Sequence, residues 1–129
     1  MDDYLLKQEE NMIQLLERLV NIDSGSLDVI QVNQLGNVLH QLFTELDLQV
    51  TLDKQVEVGD HLIIRSKHSL QPSILILTHM DTVFEKGTVK QRPFHRDAYR
   101  AYGPGVIDMK ASLVSIYFVL KTLKKFNRE

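Results

Sequence analysis

Leu5, Met12, Leu16, Leu19 and Val20 recur at the spacing of one helical face, which predicts a helix from residue 3 to about residue 20. The turn-forming cluster Asp23-Ser24-Gly25-Ser26 ends it. Val32, Leu35, Leu39, Leu42 and Leu46 mark the apolar face of a second helix. From there the period falls to two. Val50 and Leu52 alternate with polar neighbours and predict a strand over 48–54; Gly59-Asp60 then turns the chain into a returning strand at Leu62-Ile63-Ile64, so the pair reads as a hairpin. Ile74-Leu75-Ile76-Leu77 follows Pro72 and is apolar without alternation, the pattern of a central strand buried on both faces by helices. Residues 79–105 carry Gly87, Pro93, Gly103, Pro104 and Gly105 and read as irregular. A third helix follows, marked by Leu113, Ile116, Tyr117, Leu120 and Leu123, with its N-terminus near Asp108, where a carboxylate is favourable. This order of elements predicts an α/β fold, a helix-sheet-helix sandwich.

Composition narrows the function. The 129 residues suffice for one buried core, and 43% hydrophobic with 25% charged residues is ordinary for a globular domain. A formal net charge of −2 gives no electrostatic basis for binding nucleic acid or an anionic membrane. Lys121, Lys124, Lys125 and Arg128 form the one basic concentration and read as a solvated helix end. There is no cysteine, which removes disulfides, thiol catalysis and thiolate metal sites. Any metal must be held by His, Asp and Glu, the donor set of catalytic rather than structural zinc. The acidic start has no secretory pattern and no apolar stretch reaches membrane-spanning length, so a cytoplasmic location is the expectation.

Two groups carry candidate chemistry. His79-Met80-Asp81 directly follows the apolar run, where ligand sites of open α/β sheets lie. Positions i and i+2 of an extended segment point the same way, so Asp81 can accept the second N–H of the His79 imidazole and fix its tautomer. The alternative for this tripeptide alone is a His and an Asp that cap neighbouring backbone groups. The second group is Tyr102-Gly103-Pro104-Gly105-Val106-Ile107-Asp108-Met109-Lys110. Its glycines allow a sharp backbone path, and Asp108 alone would serve as a helix N-cap. Its spacing fits neither a dinucleotide nor a P-loop motif. His95-Arg96-Asp97 repeats the His-x-Asp pattern without a preceding apolar strand and reads as solvated loop; His40, His61 and His68 read as surface.

Taken together, the apolar strand ending in His79-x-Asp81, Thr82-Val83-Phe84, Pro93-Phe94 and the Tyr102–Lys110 motif resemble the acetylornithine deacetylase, succinyl-diaminopimelate desuccinylase and aminoacylase family of dinuclear zinc hydrolases, and within it the glutamate carboxypeptidase type. Asn21–Ser26 and Asn33–Asn37 extend the likeness to the start of the chain. The resemblance implies that residues 1–129 are the N-terminal portion of a zinc-peptidase catalytic domain. It implies two zinc ions in the complete enzyme, with His79 on one, Asp108 bridging both, and Asp81 as the catalytic-site carboxylate that holds His79. It further implies a cis Asp108–Met109 peptide and a surface hairpin at the His95-Arg96-Asp97 stretch. The substrate of the complete enzyme would be a small peptide with a C-terminal glutamate or an N-acyl amino acid, cleaved at its amide.

The chain departs from that pattern. The family's Glu-Glu pair, which supplies the general base and a ligand, has no counterpart after Asp108; Glu9-Glu10 lies in the first helix. A further acidic ligand, a distant His and the small dimerisation domain are also expected downstream and are not in these residues. Ala111-Ser112 stands in place of a glycine pair, and the Asp97–Arg100 turn lacks a glycine, which predicts a short or distorted hairpin. The expectation is therefore weak or absent zinc binding and no catalysis by this stretch alone. The alternative reading is a non-catalytic, stand-alone half-domain that acts as a weak metal-binding module or binds a partner, a second copy or the missing C-terminal half, through its uncovered sheet.

Overall fold

A computed structural model describes residues 2–67 and 74–126. Pro72, His68 and Arg128, named above, lie outside them. The N-terminal segment forms two helices rather than one, α1 (Asp2–Leu6) and α2 (Glu9–Val20). They part at Lys7-Gln8, and α1 thereby brings the Tyr4 ring edge-on to Phe126, 6.0 Å between centroids, with Lys125 Nζ 4.2 Å over the same ring. The basic helix end is thus partly engaged with aromatic faces, a favourable placement for an ammonium. Helix α3 (Val29–Glu45) starts where Asp28 accepts a hydrogen bond from the Gln31 N–H at 3.1 Å.

Strands β1 (Gln49–Asp53) and β2 (His61–Arg65) form the expected antiparallel hairpin. The register pairs Val50 with Ile64 and Leu52 with Leu62, so the alternation seen in the sequence turns one face of the hairpin onto the core. Thr51, Ile63 and the charged ends face outward. Short helix α4 (Thr88–Gln91) and the two-residue strands β3 (His95–Arg96) and β4 (Ala101–Tyr102) follow. The last helix, α5 (Ala111–Lys125), packs against α2. Leu16, Leu19 and Val20 of α2 meet Leu35, Leu39 and Phe43 of α3 and Leu113, Val114, Tyr117 and Phe118 of α5 in one cluster. Phe43 and Phe118 both stand edge-on to Tyr117, at 5.8 and 5.3 Å. The α/β class read from the sequence holds.

The apolar run differs from its expectation. Ile74, Leu75, Ile76 and Leu77 pair with no strand among the described residues, and each is 57–82% exposed. A central strand needs neighbours on both edges and layers on both faces. The described residues supply neither to this run, so its composition is that of a core strand while its surroundings are solvent. No helix among the described residues is long and apolar enough to cross a membrane.

The β1–β2 connection is closed by the buried carboxylate of Asp60 and pinned to α3 by that residue's backbone N–H. Asp60 accepts from Lys54 Nζ at 2.6 Å and from the Gln55 N–H at 3.1 Å, while its own N–H donates to Asn33 Oδ1 at 2.7 Å. The hydrogen bond from Lys54 and that from Gln55 hold its carboxyl below the usual carboxylate range. A folded-state value below the unfolded one means a contribution complete above about pH 4 and lost as pH falls through the folded value. Asp60→Asn is expected to lower the thermal midpoint near neutral pH and to shrink the stability lost on acidification. Melting curves across that range check it, and a variant as acid-sensitive as the parent would refute it.

Candidate active site

The two candidate ligands come from separate loops and meet at one point. His79 Nε2 lies 3.0 Å from Asp108 Oδ1. The imidazole is held from behind: its Nδ1 is 3.0 Å from the Asp81 carbonyl oxygen and 3.4 Å from Asp81 Oδ1. The residue's own carbonyl is therefore the nearer acceptor, with the carboxylate just beyond. The alternation expected of an extended segment is present, since Met80 packs against the core while His79 and Asp81 turn the other way. The His79 backbone N–H points at Met109 Sδ, 3.3 Å away, which ties the first loop to the second. Partial burial opposes the charged imidazolium, but the Asp81 carbonyl and the carboxylates of Asp108 and Asp81 outweigh it and raise His79 above the usual histidine value.

Asp108 does not cap α5. The helix begins three residues later at Ala111, and Asp108 (φ −127°, ψ 91°) and Met109 (φ −134°, ψ 35°) depart from helical geometry within the turn Val106–Lys110. The Asp108–Met109 peptide is cis. The carboxylate projects into a cleft of about 260 Å³ lined by Ser26, His79, Asp81, Phe84, Ile107 and others, and its side chain is 81% exposed against 46% for His79. Gly105 (φ +71°) makes this turn possible, since a Cβ there would lie 2.4 Å from Thr82 Cγ2.

An imidazole nitrogen and a carboxylate oxygen 3.0 Å apart can both reach one zinc ion at bond lengths of about 2.0–2.2 Å. The donors fit as part of a centre only: no group of three or more His, Cys, Asp or Glu that could hold an ion gathers among the described residues. The rival His95-Arg96-Asp97 does not join the cleft. His95 stacks on Tyr102 with centroids 4.7 Å apart, Arg96 binds Glu10, and Asp97 closes the β3–β4 turn by accepting from the Tyr99 and Arg100 N–H groups at 2.7 and 2.8 Å. That side-chain turn does the work of the missing glycine and accounts for the short hairpin. His40 is half-buried on α3 and His61 is exposed on β2.

Residues 75–129 match the model of peptidase family M20/M25/M40. The chain is also 35% identical over 121 residues to Carboxypeptidase G2 of Pseudomonas sp. (strain RS-16), an alignment covering 92% of this chain. It spans 29% of that protein's length. The two findings together support a peptidase-like origin for this chain.

Sequence reading missed the residues that hold the elements of this site together. Asp23–Ser26 is more than a helix stop. The Thr82 N–H donates to the Ser24 carbonyl at 2.8 Å, and the Ser26 N–H donates to the Thr82 carbonyl at 2.9 Å, a parallel bridge between residues 24–26 and the loop after His79. Gly25 permits it, because a Cβ there would lie 2.5 Å from the Phe84 carbonyl oxygen. Asp23 accepts from the N–H groups of Gly87 and Val89 at 2.7 and 3.1 Å, and Ser26 Oγ donates to Asp81 Oδ2 at 2.5 Å. Lys110, next to Met109, is buried and donates from Nζ to the Ile22 carbonyl at 2.7 Å.

Burial pushes the Lys110 ammonium down to about 8, against the pull of Asp23 in the other direction. The unfolded chain therefore binds more protons than the folded one between about pH 8 and the ordinary lysine value near ~10.4, so stability due to this group rises with pH across that window. Lys110→Met should remove the rise. Urea unfolding at about pH 7.5 and about pH 10 tests this: the parent is expected to gain relative to the variant at the higher pH, and a difference independent of pH would contradict the burial argument.

Proposed function

We propose that this chain is the N-terminal portion of an M20 zinc peptidase catalytic domain, and that the complete enzyme removes a C-terminal glutamate or hydrolyses a related N-acyl amino acid amide. The observation that carries the reading is the meeting of His79 Nε2 and Asp108 Oδ1 at 3.0 Å, with Asp81 behind the imidazole. His79 would hold one zinc ion and Asp108 would bridge two, while Asp81 keeps the His79 ring oriented. The chemistry that zinc supplies in such a centre is Lewis-acid polarisation of an amide carbonyl and acidification of water. The chain's own residues would bind and orient; among the described residues, no carboxylate in the cleft other than Asp81 and Asp108 is placed to take a proton, and both are engaged with His79. Residues 1–129 alone are therefore expected to turn over no substrate.

The test is metal affinity. Calorimetric titration of the chain with zinc should give a dissociation constant no tighter than about 1 μM, since two donors hold the ion where a full centre has three or more. His79→Ala and Asp108→Ala should each abolish it. Zinc binding that survives both substitutions, or hydrolysis of an N-acyl glutamate by the chain alone, would overturn the reading.

The exposed run Ile74–Leu77 favours a second reading in which this surface binds a partner, with a second copy of the chain as the occupant. Sedimentation is expected to show concentration-dependent association that the paired substitution Ile74→Lys and Ile76→Lys removes. A parent chain monomeric at every concentration would dismiss it.

A further inference from the structure

We propose that Ser26 is a positioning residue for the metal site, acting on His79 through Asp81; the inference rests on the metal-centre reading above. Three observations carry it. The Ser26 hydroxyl lies 2.5 Å from Asp81 Oδ2, the length of a charge-assisted hydrogen bond to a carboxylate. A hydroxyl has one proton to give, so the 3.1 Å contact from the same Oγ to the Thr82 carbonyl is secondary. Oδ2 faces Ser26 and Oδ1 faces His79 Nδ1, at 3.4 Å, just beyond the residue's own carbonyl at 3.0 Å. The hydroxyl thereby sets which face of the carboxylate meets the ring, and the ring's rotation sets where Nε2 points.

Ser26 is itself fixed from both sides in a way that suits this task. Its N–H donates to the Thr82 carbonyl at 2.9 Å and the preceding Ser24 carbonyl accepts from Thr82, so the backbone carrying the hydroxyl is locked to the backbone one residue past Asp81. The hydroxyl and the carboxylate are thus brought together by neighbouring main-chain bonds rather than by flexible side chains. A ligand histidine whose orientation depends on an outer hydrogen bond loses affinity for the ion when that bond is removed, commonly by about 10- to 100-fold. Ser26 stands one step further out, so the low end of that range applies.

The experiment compares the parent chain with Ser26→Ala, Ser26→Thr and Ser26→Cys, the last keeping the volume with a poor donor. In the metal-free chains, the 15N signals of the His79 ring nitrogens are measured at one fixed pH, with backbone spectra as the check on folding. Ser26→Ala and Ser26→Cys are expected to move the Nδ1 signal, and Ser26→Thr to leave it at the parent position. Folded Ala and Cys variants with parental ring signals would overturn the proposal. Titration with Co(II) then reads affinity and the visible spectrum of the ion: about a 10-fold loss is expected for Ala and Cys and recovery in Thr. Equal affinity in all four chains would also overturn it. If the parent binds no Co(II), the metal-centre reading fails, and the ring-nitrogen comparison alone decides whether Ser26 positions the Asp81–His79 pair.

Discussion

Thr82 donates to Ser24 and accepts from Ser26, and through this two-bond bridge the N-terminal turn is laid against the loop that carries His79 and Asp81. The segment before His79 has no strand partner among the described residues, so it lacks the ladder that ordinarily fixes a ligand at the end of a parallel strand. Position must come from elsewhere. It comes from residues 22–26: the bridge to Thr82, the short bond from Ser26 to Asp81, and the Lys110 ammonium on the Ile22 carbonyl. One turn therefore holds both loops of the site, and the 3.0 Å approach of His79 to Asp108 rests on it together with the His79 N–H directed at Met109 Sδ.

The same turn explains the charge distribution. A buried lysine is costly unless its donors are met and a carboxylate lies within reach. Lys110 has the Ile22 carbonyl as acceptor and the Asp23 charge nearby, and Asp23 is in turn held by two backbone N–H groups at the start of α4. Asp108, two residues before Lys110, projects away from this buried pair into the open cleft. The fold thus separates a buried cation, which fastens the turn, from an exposed anion, which is available to a ligand.

Elements built from neighbouring residues were legible in the sequence; arrangements made across long separations were not. The hairpin register followed from the alternation of Val50, Leu52, Leu62 and Ile64, and α3 and α5 from their apolar faces, because both patterns are local. His79 and Asp108 were legible through their motifs, and the structure brings them together. The break between α1 and α2 was hidden because Leu5 and Met12 keep the helical spacing on either side of it, while the bend serves a contact with Phe126 at the far end of the chain. Asp108 looked like an N-cap because its position before an apolar run has that signature, yet the turn around Met109 delays the helix to Ala111. Ser26 and Lys110 gave no local signal: their partners lie 55 and 88 residues away.

Ile74–Leu77 joins the question of the fold to the question of the site. Burying four such aliphatic side chains is favourable by on the order of 6–12 kcal/mol before the entropy of association is counted, as large as the stability of a whole domain. On the partner reading, a polypeptide strand that paired with its backbone would cover these faces. Leu77 is two residues from His79, so the same pairing would also restrain the approach to the ligand. Ordering of the strand and ordering of the imidazole are then one event. On the metal-centre reading, the turn at residues 22–26 would set where the ring stands and a cover over Ile74–Leu77 how firmly, so metal affinity and strand pairing would be thermodynamically linked.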